Sequence, residues 1–126
     1  MLKEEIRKIL SSRIALNYND DANIEKYWRL EVELFKMDVC QTISFIDNDC
    51  TPDEFDWFSE IFEELAALTQ SKGLVESLFR FIINHPDCLK MPGVYEHCLY
   101  AEGAIEDEGW NCPLKQNTER MLSDIQ

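Results

Sequence analysis

Four polar residues near the middle of the chain have the types and spacing of a reactive or ion-binding loop. Asp47, Asn48, Asp49 and Thr51 lie in the segment ISFIDNDCT, where an apolar run precedes Asp-x-Asp-x-Thr. An aspartate carboxylate in such a loop could act as a nucleophile. Together with Asp53, the same oxygen-bearing side chains could instead begin a calcium-binding loop.

The residues around this segment support neither chemistry. The nucleophile motif resembles that of haloacid-dehalogenase-like phosphatases, which also need a Mg²⁺ site, a downstream lysine and a parallel sheet. The chain shows no strand–helix alternation and has no Lys or Arg between Lys36 and Lys72. An EF-hand loop that starts at Asp47 needs glycine at its sixth position and glutamate at its twelfth. Those positions hold Pro52 and Phe58, so we expect neither a phosphatase nor a calcium site.

Soft metal ligands are present without the spacing of a zinc site. No C-x₂-C or H-x₃-H pair joins them, and no glycine-rich turn flanks a serine or cysteine that could serve as a nucleophile. We therefore expect no metal, no cofactor and no catalytic residue, and we predict that the chain is not an enzyme. The residues considered for zinc are His85, Cys88, His97, Cys98 and Cys112.

Length and charge restrict the class of protein and of partner. The 126 residues predict a single domain, residues 1–126, with enough apolar material for a core. Twelve Lys and Arg face twenty-five Asp and Glu, which gives a formal net charge of −13. Such a field repels nucleic acid and anionic lipid and attracts basic proteins. We expect no direct nucleic-acid binding and no membrane binding.

The cysteines and the first residues favour a cytoplasmic protein. Five cysteines are an odd number, and their wide spacing favours free thiols in a reducing compartment over a disulfide framework. The segment MLKEEIRKIL has acids where a signal peptide would be apolar. No apolar run reaches the length of a membrane span.

Hydrophobic periodicity is helical nearly throughout, which predicts an all-α bundle of five or six helices. A first helix covers 2–16, and a loop over 17–23 follows, with Asp21 or Asn23 as the next N-cap. Two apolar rows run through 24–47 and predict one long central helix. Thr51, Pro52 and Glu54 form a strong start signal. The remaining helices are predicted at 52–70, 74–84, 93–105 and 113–124.

The helix over 52–70 has a strongly acidic side. Acids recur there at three- and four-residue steps, so they share one face. The positive end of the helix dipole explains acids in the first turn only. A solvated acidic face remains one explanation, and a surface that matches a basic protein is the other. The candidate partner-binding residues are Asp53, Asp56, Glu60, Glu63 and Glu64, with Asp47 and Asp49 at the preceding helix junction.

Residues 20–86 resemble the small immunity proteins of bacterial contact-dependent growth inhibition and related polymorphic toxin systems. The resemblance lies in SFIDNDCTPDEFDWFSEIFEELAALTQS and the preceding YWRLEVELFKMDVCQT. The residues that carry it are Phe45, Ile46, Asp49, Cys50, Thr51, Glu54, Phe55, Trp57, Ser59, Glu60, Phe62, Glu63, Thr69, Gln70 and Ser71.

The resemblance implies a cytoplasmic antitoxin that binds and neutralises one cognate toxin domain. Many such toxins are RNases or DNases, and an acidic helix could block the cationic groove that holds nucleic-acid phosphates. The alternative function is a helical adaptor or regulatory domain that binds a basic partner other than a toxin. A second candidate surface lies in residues 102–108, at Glu102, Glu106, Asp107 and Glu108.

Overall fold

The computed structural model describes residues 2–14 and 21–125, and within those ranges every regular element is helical. Two short 3₁₀ turns are also present: Ser59–Ile61 within a helical rod, and Pro86–Lys90 in the connection between two helices. The helices are α1 (Leu2–Ile14), α2 (Asp21–Met37), α3 (Val39–Asn48), α4 (Pro52–Phe58), α5 (Phe62–Thr69), α6 (Lys72–Asn84), α7 (Val94–Gly103) and α8 (Lys115–Ile125).

The predicted single helix over 24–47 is wrong, because the chain bends at Asp38. This residue is extended (φ −146°, ψ 93°), and its carboxylate accepts a hydrogen bond from the backbone N–H of Gln41. An aspartate in this position caps a new helix, so α2 ends at Met37 and α3 begins at Val39. The hydroxyl of Thr42 donates to the carbonyl of Phe35 at 2.8 Å, across the bend.

The predicted helix start at Thr51 is confirmed. The Thr51 hydroxyl accepts from the backbone N–H of Glu54, and the Glu54 carboxylate accepts from that of Thr51. The helix continues through the 3₁₀ turn Ser59–Ile61 into α5, so α4 and α5 form one interrupted rod. With that rod counted once, the described residues form seven helices. The all-α class is therefore confirmed, whereas the seven helices exceed the predicted five or six, because Asp38 divides the second predicted helix.

The other boundaries differ from the predicted ones by a few residues. Predicted residues 15 and 16 of the first helix and 17–20 of the loop lie outside the described ranges. Because α2 begins at Asp21, both predicted caps, Asp21 and Asn23, lie inside the helix. Helix α6 begins two residues earlier than predicted, since the Ser71 hydroxyl accepts from the N–H of Leu74 and caps it.

Aromatic side chains from α2, α4, α5 and α6 form the centre of the core. Phe55 is 1% exposed, and its ring stacks on that of Phe81 with the centroids 4.2 Å apart. The tilted ring of Phe62 also contacts Phe55, with the centroids 4.9 Å apart, and Phe35 meets Phe58 edge-on at 5.1 Å. The apolar side of α4 and α5 is thus fixed inward, and their opposite side faces solvent.

All five cysteines are free thiols, one exposed and four buried. Cys40 is exposed on α3, whereas Cys50, Cys88, Cys98 and Cys112 are buried. Burial raises the pKa of Cys88 to about 11 and raises the pKa of the other three buried thiols as well. The buried thiols therefore behave as small apolar side chains.

None of the helices in the described ranges combines the length and the apolar character needed to cross a membrane.

Candidate functional site

The candidate site is the solvent side of α4 and α5, which we call the acidic surface. The rod is anchored by six buried side chains on its inner side, so the acids between them point outward. The structure brings together five of the seven acids singled out in the sequence, and all five are exposed. They are Asp53, Asp56, Glu60, Glu63 and Glu64, and the buried residues opposite them are Phe55, Phe58, Ile61, Phe62, Leu65 and Ala66.

Most of the acidic surface lacks a counter-charge from the described part of the chain. Within those residues, the carboxylates of Asp53, Asp56, Glu63 and Glu64 make no hydrogen bond or ion pair. Glu60 accepts a hydrogen bond of 2.9 Å from the indole N–H of Trp28 on α2. Acids spaced three and four residues apart repel one another on a helix, so a partner that brings cations would relieve an existing repulsion.

The two acids at the α3–α4 junction lie in a different environment. The Arg80 guanidinium on α6 donates to both carboxylate oxygens of Asp47, at 3.0 and 2.9 Å. The Lys3 ammonium lies 3.7 Å from the carboxylate of Asp49. Asp47 therefore has a two-bond ion pair within this chain, whereas Asp49 has a longer, solvent-exposed one.

A third cation, Arg7 of α1, fixes the start of α4. Its Nε donates to Glu54 Oε2 at 2.9 Å, and its Nη2 donates to the Asp49 carbonyl at 2.9 Å. The guanidinium also lies 5.9 Å from the ring centroid of Phe45. Arg7 thus ties three helices together at the junction and holds Glu54 inward, away from the acidic surface.

Replacing Arg7 with alanine is expected to destabilise the protein by about 1–2 kcal/mol, because charge-assisted hydrogen bonds are lost and Glu54 stays partly buried without its cation. The midpoint and slope of urea unfolding at pH 7 measure this change. The matched control is Arg29→Ala, which removes a solvent-exposed pair with Glu25 and should cost no more than about 0.5 kcal/mol. Equal losses for the two variants would contradict the role given to Arg7.

The Arg7 effect is also expected to depend on pH. Burial opposes the ionisation of Glu54, but the hydrogen bonds from Arg7 and the Thr51 backbone outweigh it and lower the Glu54 pKa below 4.5. A lowered folded-state pKa stabilises the protein above the unfolded-state value and loses that effect as the pH falls through the folded-state value. The stability difference between wild type and Arg7→Ala should therefore shrink below about pH 4.5. A difference that stays constant down to pH 3 would contradict this pairing.

The four acids of the second candidate surface, residues 102–108, do not form one exposed surface. Glu102 is buried, and its carboxylate accepts from the backbone N–H of Cys112 and from the Lys115 ammonium, at 2.8 and 2.9 Å. Asp107 pairs with Lys72, whose ammonium also lies 5.7 Å from the ring centroid of Trp110. Glu102 therefore holds α7 to the start of α8 and is not part of an exposed surface. Glu106 and Glu108 are exposed.

The histidines occupy structural positions. The His85 ring stacks on Phe81 at 4.1 Å, and its Nδ1 lies 3.1 Å from the Phe81 carbonyl. His97 meets the Tyr100 ring edge-on at 6.0 Å. Across residues 2–14 and 21–125, no three His, Cys, Asp or Glu side chains are grouped so that they could hold a metal ion.

Comparison of the chain with protein-family models, with curated proteins and with solved structures gives no match in any of the three.

Proposed function

We propose that this protein is an immunity protein that binds a cognate toxin domain of a contact-dependent growth inhibition system and neutralises it in the cytoplasm. The toxin we propose is a basic nuclease. The observation that carries the proposal is the acidic surface, on which four exposed carboxylates lack a counter-charge within the described residues. The resemblance of residues 20–86 to such immunity proteins supplies the biological setting.

The acidic surface is complementary in charge to a protein surface that normally binds phosphates. A nuclease binds its substrate through Lys and Arg side chains spaced along the nucleic-acid backbone. Carboxylates repeated along one rod present a row of negative charges, and they would pair with those cations in place of phosphate. Because the rod is anchored by a buried aromatic core, the backbone that carries the carboxylates is already held in place before binding, which limits the backbone entropy lost on association.

We propose the acidic surface as the main contact with the toxin. The two junction acids lie at its edge and should contribute less to binding. Asp47 and Asp49 already face Arg80 and Lys3, so a cation of the partner would compete with these ion pairs. Such an exchange gains little, because one ion pair replaces another. Protection should therefore depend more on Asp53, Asp56, Glu60, Glu63 and Glu64 than on the two junction acids.

Co-expression with the toxin module encoded next to this protein's gene tests the proposal. We expect growth rescue, and we expect the two chains to co-purify in a complex that weakens as the salt concentration rises, since exposed charge pairs are screened. A catalytically inactive toxin should bind equally well. Toxicity that persists when this protein is present in excess would refute the immunity function. Capture of a basic non-toxin partner in its place would instead support the adaptor function.

A further inference from the structure

The inner side of α8 has a polar centre. Among the described residues of α8, Thr118 alone is fully buried. Its hydroxyl donates to the Lys115 carbonyl at 2.7 Å and lies 3.2 Å from the Tyr95 hydroxyl on α7. Leu122, one turn further along, is only partly buried against the core, whereas α6 buries six apolar side chains. Since hydrophobic stabilisation follows the apolar area removed from water, apolar contact attaches α8 less strongly than it attaches α6.

A buried carboxylate of α7 holds the beginning of α8. Oε2 of Glu102 accepts a hydrogen bond from the backbone N–H of Cys112, and its Oε1 accepts one from the Lys115 ammonium. The hydrogen bond to Glu102 raises the pKa of Lys115, although burial opposes this change. Charge-assisted hydrogen bonds are roughly twice as strong as neutral ones. The Glu102 side chain therefore fastens both the end of the loop before α8 and the first turn of that helix.

The loop that joins α7 to α8 is attached separately at its beginning. Gln70, at the end of α5, donates from its side-chain amide to the Ala104 carbonyl at 2.9 Å. Its side-chain oxygen accepts from the backbone N–H of Glu106. Lys72, at the start of α6, pairs with Asp107. These contacts hold the first part of the loop to α5 and α6 without involving α8.

A glycine lies between these two sets of attachments. Gly109 is exposed and has a φ of 83°, a conformation that glycine adopts at little cost. A Cβ added there would meet no atom within 4 Å, so the backbone has free space around it. The chain can therefore change direction at Gly109, after the attached Asp107 and before Cys112, the first residue bonded to Glu102.

We propose that residues 109–125 form a strap that opens and closes as a unit about Gly109, with the Glu102 carboxylate as the latch that holds it closed. Proteins open locally in contiguous units, and units with few buried apolar contacts open most readily. In the closed state Glu102 is withdrawn from solvent. Opening returns its carboxylate to solvent in the segment that already exposes Glu106 and Glu108. The strap thus controls how acidic the surface at residues 102–108 is, and this inference does not depend on the proposed function.

Amide hydrogen exchange of the full-length protein, followed by mass spectrometry, tests the strap. In the wild type we expect protection factors in α8 to be at least about tenfold lower than in α6, because the strap opens without the core. Glu102→Gln keeps the size of the side chain and removes its charge. We expect this variant to lower protection in α8 about tenfold further, since charge-assisted hydrogen bonds are lost, and to leave α6 unchanged. Glu96→Gln makes the same change at an exposed position of α7 and should alter neither helix.

Lys115→Met removes the latch from the other side and retains an apolar stem. We expect it to lower protection in α8 as Glu102→Gln does, and we expect the double variant to lose less than the two single losses combined, because either change removes the same interaction. If Glu102→Gln does not fold, Lys115→Met provides the same comparison of α8 with α6. Equal protection of α8 and α6 in the wild type, or an equal loss in both helices in the variants, would overturn the strap. Fully additive losses would overturn the latch.

Discussion

Replacing Glu63 and Glu64 together with lysine is expected to weaken toxin binding by at least about 100-fold and to abolish protection. Both carboxylates are exposed on α5 and make no ion pair within the described residues, so the change removes two attractions and puts two like charges against a basic partner. Like-charge contacts in an interface cost several kcal/mol, and each 1.4 kcal/mol is tenfold in affinity. The dissociation constant for inactive toxin and growth rescue in co-expression measure the two effects.

The matched control for this double variant lies on α8. Glu119 and Asp124 are also exposed, and reversing both to lysine changes the net charge by the same amount. That control should reduce the association rate modestly through the weaker overall field and should still protect. Glu60 is a poorer choice for reversal, since it accepts a hydrogen bond from Trp28 and its loss would disturb packing. If the α5 and α8 variants protect equally, the acidic surface is not the interface.

Replacing Phe55 with alanine is expected to lower the free energy of unfolding by about 3–5 kcal/mol, the usual cost of deleting a buried aromatic side chain. Phe55 contacts the rings of Phe62 and Phe81 at the centre of the core. Its loss leaves a cavity that the rings of Phe62 and Phe81 cannot fill without moving. Since domains of this size are stable by only about 5–15 kcal/mol, urea unfolding followed by circular dichroism should show a much lower midpoint at an unchanged slope.

Two further variants test whether the stability loss comes from the buried Phe55 ring. Phe55→Leu keeps most of the volume and should lose less than half as much stability as Phe55→Ala. Leu68→Ala truncates a side chain that is 52% exposed on the same rod, so the loss there should stay below about 1 kcal/mol. A Phe55→Ala loss no larger than that of Leu68→Ala would mean that the aromatic stack contributes little to the core.

Helix boundaries could be predicted where neighbouring residues mark them. One boundary was missed because the hydrophobic pattern continued across its capping residue. The Thr51–Pro52–Glu54 start could be identified because the capping residues follow one another in the chain. The bend at Asp38 also has a local signal, because Gln41 follows Asp38 by three residues. In the structure Asp38 is the N-cap, and its carboxylate accepts hydrogen bonds from the backbone and the side chain of Gln41. It was missed because the apolar row continues unbroken from α2 into α3 on the side that faces the core.

The charge pairing of the site could not be predicted from local sequence. The segment between Lys36 and Lys72 contains no Lys or Arg that could pair with its acids, yet three cations reach the junction from α1 and α6. Arg7 and Glu54 are 47 residues apart, and Arg80 and Asp47 are 33 apart. Periodicity gives the faces of single helices and not the neighbours of those faces, so only the acidic surface itself could be derived.

The burial of four thiols makes the single exposed one useful for chemical labelling. Thiolate is the species that reacts with maleimides and iodoacetamide, and the raised pKa values of the buried thiols keep them protonated at neutral pH. A folded molecule should therefore accept one fluorophore, at Cys40, without any engineered cysteine. Modification of the other four requires the core to open, so their slower labelling would report the free energy of that opening in native buffer.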